Sequence, residues 1–131
     1  DDGESICIYG DYDCDGVTST ALLYTFLSAL GGFVSYYIPN RATDGYGMNF
    51  KAIDKIKADG TDLIITVDNG ISSIEEAEYI YSLGMQLIVT DHHQIGENLP
   101  RAEAVINPHR EDNEIEFRDF AGVGVACVCP V

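Results

Sequence analysis

ICIYGDYDCDGVTST, residues 6–20, runs from a short apolar segment through three aspartates in five positions into an amphipathic stretch. The apolar segment, residues 6–9, reads as a strand, and Gly10 lets the backbone turn. Asp11, Asp13 and Asp15 alternate, so an extended loop sets them on one side. Three carboxylates that close repel one another unless something positive sits among them. Hard divalent cations take oxygen ligands of this kind. A solvated acidic turn is the plainer reading of the same residues. An EF-hand is excluded, because position twelve counted from Asp11 is Leu22 rather than Glu, and the loop follows a strand instead of a helix. The segment therefore predicts a carboxylate cluster at the C-terminal end of a strand, where open α/β sheets place their sites.

The rest of the chain repeats this grammar. Thr18 and Ser19 offer capping hydroxyls near a helix start. Leu23, Phe26, Leu27 and Leu30 then keep the i, i+3, i+4, i+7 spacing of a buried helical face, ended by Gly31 and Gly32. Residues 33–38 read as a second strand, and residues 39–47, PNRATDGYG, as a loop containing Arg41. Asn49 can cap a helix with Phe50, Ile53 and Ile56 inward and Lys51, Lys55 and Lys57 outward. Residues 62–67, DLIITV, form the near-continuous apolar run of a central parallel strand. Ser72 or Ser73 followed by Glu75 and Glu76 starts a helix with Ile74, Ala77 and Tyr81 as its apolar face. Residues 87–90 and 104–106 read as further strands, and AGVGVA, residues 121–126, as the start of a helix.

Strands alternating with single helices predict an α/β fold with right-handed crossovers: a Rossmann-like three-layer sandwich on a mainly parallel sheet of about five strands. No G-x-G-x-x-G follows the first strand, so a dinucleotide-binding domain is not expected. In a parallel sheet the strand C-termini share one edge. Asp11/Asp13/Asp15, Asp68 and Asp91/His92/His93 all stand at such ends, so residues far apart in sequence converge there. Carboxylates suit Mg²⁺ and Mn²⁺, and imidazole shifts the preference toward Mn²⁺ or another transition metal. Several aspartates able to bridge suggest two ions, an arrangement suited to phosphoryl hydrolysis without a serine or cysteine nucleophile.

The 131 residues suffice for one domain with a core. A net charge of −15 argues against broad electrostatic binding of a phosphate backbone, although cations held in the acidic loops would offset part of it locally. Glu75, Glu76, Glu78 and the acidic residues 111–116 read as solvated surface. No apolar run reaches membrane-spanning length, and the opening DDGES has neither the basic region nor the cleavage site of a signal peptide. Cys127 and Cys129 stand too close for an ordinary disulfide, and no C-x-x-C is present. A reduced, cytoplasmic setting is expected, with no membrane partner.

GDYDCDGVTST, PNRATDGYG, ITVDNGIS, VTDHH, and INP followed by AGVGVA resemble, in order and spacing, the successive motifs of the DHH phosphoesterase superfamily. The fuller DYDxDG form is similar to its RecJ branch of single-strand-specific 5′→3′ DNA exonucleases. The resemblance implies phosphodiester hydrolysis at a two-metal, Mn²⁺-favouring centre. It implies Asp11, Asp13, Asp68 and His92 as metal ligands, with Asp68 bridging. His93 is implied near the scissile phosphate, Asp91 and Asp15 as supporting or additional carboxylates of the catalytic set, and Arg41 on the substrate phosphate. Single-stranded DNA is the implied partner, with a single-strand-binding protein or helicase for a parent enzyme. Two departures stand out. The family's next metal-binding aspartate and its second domain lie past AGVGVA, so residues 1–131 are expected to be a DHH catalytic domain truncated at its C-terminal side. Cys127 and Val128 also replace a usual Phe-Lys pair. The rival readings are a DHH phosphodiesterase acting on cyclic dinucleotides or short oligoribonucleotides, and a non-catalytic DHH scaffold. The first usually carries His four residues before the first aspartate, where this chain has Cys7.

Overall fold

A computed structural model describes residues 4–40, 42–43 and 47–108. Arg41, the 121–126 segment, Cys127 and Cys129 lie outside the described residues. Five strands, β1 (Ser5–Tyr9), β2 (Phe33–Tyr37), β3 (Leu63–Val67), β4 (Gln86–Thr90) and β5 (Ala104–Ile106), form one sheet in the order β2-β1-β3-β4-β5. Every pairing is parallel, with Ile8 opposite both Tyr36 and Ile65. Helices α1 (Cys14–Ala29), α2 (Phe50–Ala58) and α3 (Ile74–Ser82) supply the crossovers.

Alternation along the strands builds two cores. Ile8, Ile65 and Val67 face α1 and its Leu23. Cys7, Tyr9, Ile64, Leu87 and Val89 face the other way, toward Ala52, Ile53 and Ile56 of α2 and Ala77 and Ile80 of α3. This is the expected three-layer sandwich. The chain leaves β1 for β2 on one side and reaches β3 on the other, so the strand order reverses between β1 and β3. Ligands of open α/β sheets bind in the crevice that such a reversal opens.

Four local expectations need correction. Thr18 and Ser19 do not cap α1. The helix starts four residues earlier than Thr18, with Asp13 as its cap accepting the Gly16 N–H at 2.7 Å. The hydroxyls of Thr18, Ser19 and Thr20 instead donate to the carbonyls four residues back, a satisfied interior use of these residues. The buried face of α1 is Gly16, Ser19, Thr20 and Leu23, so the apolar stripe is rotated away from the one expected: Phe26 and Leu30 are 45% and 65% exposed. Small residues occupy the sheet-facing stripe because they let the first turns of α1 approach the loop below. In α3, Ala77 and Ile80 are buried rather than Tyr81, whose ring lies under the Arg101 guanidinium. In α2, Asn49 caps as expected, accepting from Ala52 N–H, and Ile53 and Ile56 are buried; Phe50 sits at the rim against Tyr79.

Burial also separates two thiols. Cys7 is packed in β1 and its thiol is pushed up to about 11, chiefly by burial, whereas Cys14 is exposed at the start of α1. Because the thiolate is the reactive form, iodoacetamide is expected to label Cys14 in the folded chain and Cys7 only after unfolding, as peptide mass spectrometry would show. Labelling of Cys7 at the rate of Cys14 would contradict this packing of β1.

Candidate metal centre

Of the five loops that leave the C-terminal edge of the sheet, those after β1, β3, β4 and β5 build the site. After β1, the Asp11 carboxylate is buried and accepts the Tyr12 N–H at 2.8 Å, which curls the loop. Asp13 uses one oxygen as the α1 cap. Gly16 is required by close approach: a Cβ there would stand 2.5 Å from the Asp11 carbonyl oxygen and 2.6 Å from the Asp11 Cβ.

After β3, Asp68 adopts φ 62°, the left-handed region that a non-glycine residue rarely occupies and that Asp tolerates better than most. Its N–H donates to the Thr90 carbonyl, and its carboxylate is 2% exposed. Strain of this kind gathers at functional sites. After β4, Asp91 is buried and organises its loop. One oxygen accepts the His92 N–H at 2.8 Å, the His93 N–H at 3.3 Å and His93 Nδ1, while the other accepts the Ile71 N–H at 3.1 Å. After β5, Asn107 Nδ2 donates to the His93 carbonyl at 2.9 Å and holds that loop from the far side.

These loops bring the expected residues together. His92 Nε2 lies 2.6 Å from an Asp68 oxygen and 3.6 Å from an Asp15 oxygen. Two groups of ligand atoms result, each with all its atoms within 4.8 Å of one another: Asp11, Asp13 and Asp68; and Asp68, Asp91, His92 and His93. Asp68 belongs to both. The electrostatics call for a cation. The Asp68 carboxyl is pushed up to about 8, first by burial and then by the like charges of Asp15, Asp13 and Asp91. Asp11 is also raised, mainly by burial. Buried carboxylates crowded this closely favour protonation or a bound positive ion, and a carboxylate-rich set with imidazole suits a hard to borderline divalent metal. The residues present therefore fit such a group.

Two contributors were not singled out in the sequence, Asn69 and Asn107. Both are amides immediately after strand ends already marked by acids or by a strand–turn boundary, a signal too common to read without the hydrogen bonds. Arg41 lies outside the described residues. Among the described residues, no helix is long and apolar enough to cross a membrane.

A parallel α/β domain whose buried switch-point carboxylate is shared between an all-carboxylate group and an acid–imidazole group is a scaffold suited to holding divalent metal. The model of the DHH family, N-terminal domain, matches residues 5–129, and the chain belongs to that family. It is 50% identical over 126 residues to the single-stranded-DNA-specific exonuclease RecJ of Salmonella typhimurium, covering 95% of this chain and 22% of that protein. It is 48% identical to the Escherichia coli protein of the same name and 47% identical to that of Bacillus subtilis. A crystal structure of exonuclease RecJ bound to manganese superposes on 95% of this chain with a TM-score of 0.85 at 37% identity, using 31% of that chain. RecJ of Thermus thermophilus in complex with Mn²⁺ superposes with a TM-score of 0.77 at 34% identity, over 95% of this chain and 17% of that one. The chain thus spans 22% of the length of the first two of these curated relatives and 16% of the third.

Proposed function

We propose that residues 1–131 serve as the DHH catalytic domain of a RecJ-type exonuclease that hydrolyses single-stranded DNA from the 5′ end. The observation that carries this is the double membership of Asp68, which stands in both ligand groups and so suits a bridging position. The names of the relatives, the manganese in two of their structures and the acidic crevice support the reading together. In it, Asp11, Asp13, Asp68 and His92 hold the ions. When bound, a pair of divalent cations, Mn²⁺ in preference to Mg²⁺, would supply an activated water and neutralise charge on the phosphate oxygens.

The side chains do the remaining work. Asp91 accepts from His93 Nδ1–H, which fixes the ring's tautomer and leaves Nε2 as the proton acceptor; once protonated, the imidazolium donates from Nε2 to a substrate phosphate oxygen. Asp15, with an oxygen 3.6 Å from His92 Nε2, is an additional carboxylate of the same centre. Arg41, whose planar guanidinium matches phosphate geometry, is the proposed substrate-binding residue. Single-strand-binding protein or a helicase as partners, a role in DNA repair and recombination, and a cytoplasmic location belong to the same proposal.

A substrate panel tests it in the longer protein that contains this chain. With Mn²⁺, 5′-labelled single-stranded DNA should be degraded at least about 100-fold faster than duplex DNA, cyclic dinucleotides or short oligoribonucleotides, a difference worth about 3 kcal/mol in the barrier. Preference for a cyclic dinucleotide would move the protein to the small-nucleotide branch. No hydrolysis of any substrate would favour the scaffold reading.

A further inference from the structure

Asn69, the residue after the shared carboxylate, is completely buried. Its Nδ2 carries two hydrogens and faces three carbonyl oxygens, Tyr9 at 3.1 Å, Gly10 at 3.2 Å and Val67 at 2.9 Å, so one hydrogen is shared between two of them. Carbonyls only accept, so the amide nitrogen must face them and the side chain's orientation follows from chemistry. Its Oδ1 has no hydrogen-bond partner among the described residues, so the side chain is anchored through nitrogen.

The placement is specific. The last ladder pair between β1 and β3 is Tyr9 with Thr66. Past it, the backbone of each loop bonds outward, Gly10 N–H to Tyr37 and Asp68 N–H to Thr90. The Asn69 amide supplies bonding across the gap. Two of its acceptors lie in the residues immediately before Asp11, and the third immediately before Asp68. It ties together the loops that carry the two sides of the Asp11/Asp13/Asp68 group.

We propose that Asn69 is a positioning residue: by clamping the Tyr9 and Gly10 carbonyls it sets Asp11 and Asp13 against Asp68, so that the two ligand groups can hold a cation pair bridged by Asp68. This rests on the two-cation reading above. A purely structural asparagine would add to sheet stability without governing how two ions sit relative to each other. Residues that orient metal ligands typically change affinity by about 10–100-fold when removed.

The test is a Mn²⁺ titration followed by electron paramagnetic resonance on the longer protein that contains this chain, unmodified and with Asn69→Ala, Asn69→Ser or Ile80→Val, a core change in α3. Metal-free thermal melts accompany each. The unmodified protein should give the exchange-coupled spectrum of two neighbouring Mn²⁺ ions. The Asn69 variants should give the six-line spectrum of isolated ions and bind about 10–100-fold more weakly. Ile80→Val should keep both the coupled spectrum and the affinity at a comparable loss of melting temperature. A coupled spectrum with unchanged affinity in either Asn69 variant would overturn the proposal. So would the same losses in Ile80→Val, or the failure of both Asn69 variants to fold, because each assigns Asn69 to the sheet alone. An unmodified protein showing no coupled pair would strike the two-cation reading itself, an outcome distinct from these.

Discussion

Asp68→Asn is expected to remove hydrolysis from the longer protein while leaving the fold intact. Asn is the informative replacement because, like Asp, it tolerates the left-handed backbone at φ 62°, where Ala would add strain of its own. The change removes charge with little change of shape. Because Asp68 stands in both ligand groups, neither keeps a full set. A metal's charge stabilisation is worth several kcal/mol in the transition state, so the rate should fall by about 10³-fold or more. The metal-free chain should respond in the opposite sense. Its folded-state carboxyl is raised from 3.8 to about 8, so the proton it holds contributes stability that is fully present below about pH 4 and is lost as pH rises through about 8. Denaturation of the metal-free chain should therefore become easier across that window. In Asp68→Asn that dependence should flatten, and Mn²⁺ should flatten it in the unmodified chain. Near-normal hydrolysis by Asp68→Asn would remove Asp68 from the centre.

Gly16→Ala should be nearly as damaging, against the usual rule for helices. At an open position, Ala is about 1 kcal/mol better than Gly in a helix interior. Gly16 is buried in the first turn of α1, and its added Cβ would meet the Asp11 backbone at 2.5 Å and 2.8 Å. Those contacts are with main chain, so a rotamer change cannot relieve them. Either α1 lifts away or the Asp11 loop moves, and overpacking of this kind costs about 1–3 kcal/mol. The loop carries two ligands and the Asp13 cap, so Mn²⁺ affinity should fall as well, by about 10-fold or more. Urea denaturation and metal titration of Gly16→Ala check both effects. A more stable variant with unchanged affinity would contradict the close packing of α1 on the loop.

Most of this architecture is legible in the residues because parallel strands leave a blunt signature. DLIITV can be buried on both faces, and the acids placed just after such runs must share an edge. The convergence of Asp11, Asp13, Asp68 and His92 follows from that topology. The face of α1 was not legible, for a related reason. Phe26 and Leu30 outweigh Gly16, Ser19 and Thr20 in any hydrophobic pattern, yet the site needs small residues where helix and loop meet, and serine and threonine can bury hydroxyls by bonding back to their own helix. Asp13 as cap was hidden by the expectation that it served only as a ligand; its two oxygens allow both uses. The clamp by Asn69 depends on carbonyls about sixty residues away, which no local pattern encodes.

The most direct test of the central claim is diffraction at the manganese absorption edge from crystals of the longer protein that contains this chain, grown with Mn²⁺. Two anomalous peaks are expected, one on each side of the Asp68 carboxylate: the first among Asp11 and Asp13, the second beside His92. Density with no peak at Asp68, with His92 still paired directly to that carboxylate, would contradict the account.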